Sequence, residues 1–514
     1  MKRVLFISLF LLICAKERDL VASEPEVDVT IHKVGQGNCI SVRLFNPSFM
    51  KEPEHVLFDA GSSAYIQEWI YHERRPLPPA ASPSSPKGKG KEETPRTAPP
   101  STIKPSNFST IVAQQKETVT RYSFFDSLRL MLSNKSDLED EEKKEELKEP
   151  IKVRAVVITH PDKDHYGWLT QVFRHKRDVI QTLVFGGLPH HYDMSGQMKL
   201  KKWLKRRLQT DSTLYFPAIS WEPIKDVQQL DYPGEWTYAP HRYDQPGSPE
   251  RLFGDAFQFG APIKLSFLSV NPTHWGGNKD VILRSCFPDD DNSDSLVVKI
   301  ANGHSSIILT GDATSITTNR ILNNYIDQPD FLKATWLLGS HHGSSTHGSN
   351  EPTFLKAVDP EGIALSNGHF QGHPDAAMYE NTRVCKRLMI APPHNVLVGE
   401  VKTKQRKKKQ KEDEVKGTLH TTYRAIFSTL TNGTLQISLK QNGTTQVKTE
   451  KEGIIELTSP APAPADTVVE VISTETSSGV ITTPLKGKEE TSERPSKRSK
   501  PSAGYPLSGD EGDD

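Results

Sequence analysis

Short runs of alternating or continuous apolar residues recur along this chain, each followed by a stretch whose apolar positions repeat at helical spacing. Strand patterns fall at residues 27–34, 39–44 and 55–59, and helical patterns follow at 64–71 and 122–132. After the strand that ends at Ile158, a helix near 169–176, a strand near Leu183 and a helix near 198–208 repeat the alternation. The second half echoes it, with strands around 263–270, 296–300 and 307–309 and a helix near 315–325. This order predicts an α/β fold in which two mixed sheets face each other with helices outside, an αββα four-layer sandwich.

Several of these strands end abruptly in metal-ligating residue types. Val156-Val157-Ile158 runs into Thr159-His160-Pro161-Asp162-Lys163-Asp164-His165, an H-x-D-x-D-H motif with two imidazoles and two carboxylates within six residues. Acid and imidazole packed this densely against an apolar strand are electrostatically costly unless a cation compensates them. Carboxylate oxygens beside imidazole nitrogens suit divalent transition metals, and two such pairs suit two ions, Zn or Mn, sharing one site. Downstream, the hairpin 295–300 and 306–309 runs into Thr310-Gly311-Asp312-Ala313, placing a lone carboxylate where it can bridge. The run 334–338 ends in Gly339-Ser340-His341-His342-Gly343-Ser344, and 362–366 ends in a segment that closes with Gly372-His373-Pro374. Any one of these is weak evidence; their recurrence at four strand ends carries the expectation of a site.

The ordered set Asp59-Ala60-Gly61, His160-x-Asp162-x-Asp164-His165, Gly311-Asp312, His341-His342-Gly343-Ser344 and Gly372-His373-Pro374 resembles the metallo-β-lactamase superfamily. Within it the likeness is to the ComEC-type DNA-uptake and phosphorylcholine-esterase branch. There Val34-Gly35-Gln36-Gly37-Asn38-Cys39 resembles the first hairpin and 423–428 with 432–437 the last, and Asp is common at the position of Asp162. The resemblance implies metal-assisted hydrolysis of a phosphodiester or phosphate ester, nuclease-like, or of a choline phosphate ester, lactam or thioester. On this reading one ion is held by His160 and Asp162 and a second by Asp164, His165 and His373, with Asp312 shared. Asp164 orients the nucleophile, His341 or His342 meets the developing charge or protonates the leaving group, and Asp59 orients a ligand histidine. A further ligand to the first ion is expected from His190 or His191, after the strand near Leu183. The non-enzymatic alternative is an exported binding protein whose scaffold outlives its ligands, yet the ligands are intact.

Composition narrows the picture. Lys+Arg and Asp+Glu balance at 64 each, so no global field steers the chain toward nucleic acid; phosphate-containing substrates, nucleic acid among them, must be met locally. Residues 1–23 read as a signal peptide, Lys2-Arg3 before an apolar run too short to span a bilayer, and no second such run follows. The expectation is an exported protein with no membrane span after leader removal, cytoplasmic if that reading fails. Beyond the leader only Cys39, Cys286 and Cys385 remain, with no paired spacing. Sequons stand at Asn107, Asn134, Asn432 and Asn442. The hydrolase domain is expected at 24–455, interrupted by low-complexity inserts at about 75–106 and 133–150, the latter a charged connector or an ion-paired helix. A Pro/Ala/Thr/Ser-rich tail is expected at 456–514. Trp221, Trp236, Tyr238 and Trp275 are candidates to line a cation-binding pocket, and 406–411 is a basic run able to touch phosphates.

Overall fold

The computed structural model describes residues 24–61, 123–194, 200–210, 212–231, 253, 257–270, 291–368, 373–399 and 417–459. The expected leader, the helix at 64–71, the insert at 75–106, the tail from 460, the basic run at 406–411, Cys286, Trp236, Tyr238 and Trp275 lie outside the described residues.

Eighteen strands build the described fold: β1 (Glu26–Ile31), β2 (Cys39–Phe45), β3 (Glu54–Ala60), β4 (Lys152–Ile158), β5 (Val179–Phe185), β6 (Thr213–Phe216), β7 (Ser220–Ile224), β8 (Ile263–Ser269), β9 (Val297–Asn302), β10 (Ser305–Leu309), β11 (Trp336–Leu338), β12 (Gly362–Leu365), β13 (Ile390–Gly399), β14 (Gly417–Arg424), β15 (Ile426–Ser428), β16 (Leu435–Leu439), β17 (Thr445–Thr449) and β18 (Gly453–Ile455). Ten form one sheet in the order β18-β17-β16-β1-β2-β3-β4-β5-β6-β7, six form a second in the order β15-β12-β11-β10-β9-β8, and β13 and β14 make a separate ribbon. Both large sheets are mixed. In the first, β3, β4, β5 and β6 run parallel; in the second, β10, β11, β12 and β15 do. The fold class is α/β.

The pleat explains how the larger sheet is buried on both faces, since alternate side chains of a strand point to opposite sides. From β3 and β4, Val56, Phe58, Ala155 and Val157 enter one core together with Val298, Ile300, Ile307 and Ile308 of the second sheet. Their neighbours Leu57, Ala60, Val156 and Ile158 enter another core with Leu128 and Leu132, Leu169 and Val172, and Trp203 and Leu204. Those last pairs come from the helices Phe124–Leu132, Leu169–Val172 and Leu200–Leu208. The first of these helices starts where expected because Ser123 and Asp126 cap it reciprocally. The helix expected at 169–176 stops earlier, at Val172; beyond it the buried Asp178 carboxylate takes the His175 amide at 2.9 Å and the Arg129 guanidinium at 2.9 and 3.1 Å. The charged stretch after Leu138 is a helix, Asp140–Glu146, with no buried residue and ion pairs Lys144–Glu141 and Lys148–Glu145 along its surface.

The closing segment differs from the hairpin expected there. β15 joins the second sheet, pairing Ile363 with Ile426, while β16 joins the first, pairing Val27 with Leu439. The intervening Thr429–Asn432 turn, capped by Ser428, carries the chain from one sheet to the other. Backbone pairing then continues beyond β18: Ile390 and Thr458 exchange hydrogen bonds at 2.9 Å in both directions.

Candidate metal centre

The parallel strands of both sheets end on the same side, so the segments after β4, β10, β11 and β12 meet. Small residues allow that approach. A Cβ on Gly61, just past β3, would lie 2.2 Å from the carbonyl carbon of Asp164, so the turn bearing Asp164 and His165 can dock only against glycine. Backbone bonds hold the segments in place: Asn38 N donates to Asp164 O (3.1 Å), Leu296 N to Thr159 O (2.9 Å) and His341 N to Gly311 O (3.1 Å).

Three imidazoles reach this junction with one nitrogen already committed. His165 Nδ1 donates to Asp59 Oδ2 at 2.8 Å, the orienting role the resemblance implied for Asp59. His342 Nδ1 donates to the Ser366 carbonyl at 2.7 Å. His160 Nδ1 lies 3.0 Å from Thr159 Oγ1, whose own proton goes to Asp59 Oδ2 at 3.0 Å, so there too the imidazole donates. In all three the remaining lone pair is therefore on Nε2. Each of these Nε2 atoms is buried without a hydrogen-bond partner, as is Asp312 Oδ1. The site thus collects acceptors and leaves them facing one another.

Distances decide what could satisfy them. His165 Nε2 is 3.2 Å from Asp312 Oδ1, and His342 Nε2 is 3.5 Å from both Asp312 Oδ2 and Asp164 Oδ2. His160 Nε2 is 4.0 Å from Asp312 Oδ2 and 3.6 Å from Asp162 Oδ2. Donors about 2.0–2.2 Å from a tetrahedral ion stand roughly 3.4 Å apart, so these separations fit atoms arranged around a cation. Two groups of donors within 4.8 Å of one another result, His160–His165–Asp312 and Asp164–His165–His342. His165 offers a single Nε2 to both.

Charge follows the same geometry. Burial alone would raise the Asp312 carboxyl, but the surrounding His342, His165 and His341 hold it well below the usual carboxylate range. Asp164 is likewise opposed by burial, yet the neighbouring imidazoles of His342 and His165 bring it down to about 2. Burial would lower His165 and His342; Asp312, with Asp59 for the first and Asp164 for the second, raises both above an ordinary imidazole. Without a cation, protons on these rings carry the balancing positive charge.

The structure does not treat every expected residue alike. His373 belongs to neither donor group; its ring lies 5.6 Å from that of His341, and burial takes it down to about 4. His342, expected to act on substrate, stands among the donors. His341 sits at the rim, its Nε2 3.7 Å from Asp312 Oδ2 and its Nδ1 buried without a partner. Asp162 is at the edge, its side chain 45% exposed. His190 and His191 do not supply the further ligand: both are exposed, and His191 Nδ1 lies 2.6 Å from Asp291 Oδ1 instead. Sequence reasoning also missed the hydroxyls that steady the site, Thr159 and Ser295, the latter accepting the Asp312 amide at 3.1 Å. Thr159 could have been suspected beside His160; Ser295 had no local signal.

Strain marks the same place. Asp59, His341 and His342 all have positive φ (55°, 50° and 57°), left-handed backbone that costs a non-glycine residue on the order of 1 kcal/mol or more. Asp59 recovers it through its hydrogen bonds to His165 and to the Thr159 amide, the latter at 2.7 Å.

Part of this chain has a named relative. Over 96 residues it is 31% identical to competence protein ComA of Neisseria gonorrhoeae, a stretch that is 18% of this chain and 13% of that protein. No family model matches the chain.

Proposed function

We propose that this chain is an exported metal-dependent hydrolase with the αββα four-layer architecture of the metallo-β-lactamase superfamily, acting on phosphodiesters or phosphate esters in a nuclease-like manner. One observation carries the reading: three buried, unpartnered imidazole Nε2 atoms, each with its Nδ1 committed elsewhere, converge with Asp164 on the Asp312 carboxylate. The local likeness to a competence protein agrees with the ComEC-type branch. Such a donor set suits two divalent transition-metal ions, Zn or Mn, held by His160, His165, His342, Asp164 and Asp312, with Asp162 at the edge.

Bound there, divalent ions supply Lewis acidity and a nucleophile at neutral pH. The protein's own groups do the rest. Asp312, at the centre of the cluster, offers carboxylate charge to both donor groups, and Asp59, Thr159 and the Ser366 carbonyl keep the imidazoles turned with Nε2 inward. The half-buried Asp164 is placed to accept a proton from an attacking water. His341 and His373 line the rim and can donate N–H bonds to phosphoryl oxygens as charge grows on them.

The test uses the full chain reconstituted in turn with Zn²⁺ and Mn²⁺, its metal content measured, and offered bis-nitrophenyl phosphate, single-stranded DNA, a phosphorylcholine ester and a lactam. Metal uptake with cleavage of the first two supports the proposal. A protein that stays metal-free under both metals, or loads metal and cleaves only the lactam, overturns it.

A further inference from the structure

The described residues hold three Asn-x-Ser/Thr sequons, and the fold gives them different chemistry. Asn432 is buried at 1% exposure, its Oδ1 accepting the Ser428 amide at 3.0 Å and the Thr431 hydroxyl at 3.1 Å inside the turn that links the two sheets. A sugar on Asn432 would have no room. Asn134 is exposed, but its carboxamide is used at both ends: Oδ1 lies 2.8 Å from Nε2 of the buried His55, and Nδ2 donates to the Pro53 carbonyl at 3.3 Å. Asn442 differs from both. It lies in the tight turn between β16 and β17, closed by Gly443 N donating to Lys440 O at 3.1 Å, and both Asn442 and Thr444 are exposed. Its Oδ1 accepts the Thr444 amide at 2.9 Å and the Thr444 hydroxyl at 2.7 Å, while its Nδ2 makes no hydrogen bond among the described residues. The side chain is held by its oxygen and presents its nitrogen.

The turn also lies away from the candidate metal centre. Its Gln441 carbonyl takes the His304 amide at 3.1 Å, at the start of β10, whereas Asp312 follows the far end of that strand. Five strand residues put about 16 Å between the two ends.

We infer that Asn442 is an N-glycosylation acceptor of the folded, exported protein, whereas the folded protein cannot carry a glycan on Asn432. This rests on the export reading. In the transfer, the Asn442 Nδ2–C1 bond forms as the C1–O bond of a polyprenyl-pyrophosphate-linked oligosaccharide breaks; the pyrophosphate departs with its electron pair and Nδ2 gives up one proton.

The experiment expresses the full chain in cultured eukaryotic cells behind its own N-terminus and, in parallel, behind an unrelated cleavable leader. Secreted protein is treated with peptide N-glycosidase in heavy-oxygen water and each asparagine is read by mass spectrometry. The expected result is label at Asn442 and none at Asn432, label lost in Thr444→Ala, and phosphodiester turnover within about twofold of wild type in Asn442→Gln. Labelled Asn442 with the unrelated leader but no secretion with the native N-terminus supports the acceptor and removes only the export reading. Unlabelled Asn442 in protein secreted behind the unrelated leader overturns the inference, and so does a folded, secreted fraction labelled at Asn432.

Discussion

Two sets of histidines face Asp312, and they are built differently. His160, His165 and His342 each have Nδ1 fixed by a neighbour that the fold provides, so each ring has one direction left. His341 and His373 each have a buried Nδ1 with no partner, and their rings stand 5.6 Å apart at the rim. A metal needs rings whose lone pairs are aimed before it arrives, because a loosely held imidazole must lose rotational freedom on binding. A passing substrate is better served by rings whose donors remain unspent. On the proposed function, this contrast gives the inner three to the ion and the outer two to the substrate.

The most severe test removes the group that both sets face. Asp312→Ala should lower phosphodiester turnover by on the order of 10³-fold or more and strip the metal, since the cations lose the central carboxylate that compensates their charge. Elemental analysis beside a rate measurement checks both, and a variant with near-wild-type turnover would place the bridge elsewhere.

Swapping one histidine from each set sharpens the comparison. His342→Ala should lose metal on gentle dialysis. His373→Ala should keep its metal while turnover drops by roughly 10²-fold, the scale of a lost hydrogen-bonding or acid–base contribution. Full occupancy in His342→Ala with metal loss in His373→Ala would restore the roles that the family resemblance implied.

A smaller effect is expected one step out from the ligands. Asp59→Asn keeps the shape but weakens the hold on His165 Nδ1, and should reduce metal affinity by about 10- to 100-fold without unfolding the protein. Competition with a chromogenic chelator measures it; unchanged affinity would show that Asp59 serves only the Thr159 backbone.

The mildest test is pH. In metal-free protein His165 and His342 titrate above an ordinary imidazole, so their stabilising contribution is complete below about pH 6.5 and is lost as pH rises through the raised values. Metal must displace those same protons, so its affinity should rise over that interval. Melting temperatures with and without Zn²⁺ across pH 6 to 9 should therefore diverge as pH increases; parallel curves would separate the ion from these two rings.

How much of this was legible beforehand follows from the range of the forces involved. That four strand ends bear His or Asp was readable, because a short apolar run and its polar successor are adjacent in sequence. Which member of His341-His342 turns inward was not, since the choice rests on two left-handed backbone conformations and a carbonyl contributed by Ser366. His191 looked like a ligand by residue type and position, yet Asp291, about a hundred residues on, claims it. The supposed last hairpin failed for the same reason. Ile426–Ser428 and Leu435–Leu439 are both short strands, and only pairing with β12 and with β1 decides that they join different sheets.

That pairing of β16 with β1 sets the order of events in the life of the chain. Val27 and Leu439 meet across roughly four hundred residues of sequence, and β1 lies between β2 and β16 in the middle of the large sheet. Closing so long a loop is slow, and its entropy must be met before the contact rewards it. The first strand therefore waits, edge exposed, until almost the whole domain has been synthesised. A chain built this way depends on whatever shields an unpaired strand until its partner arrives.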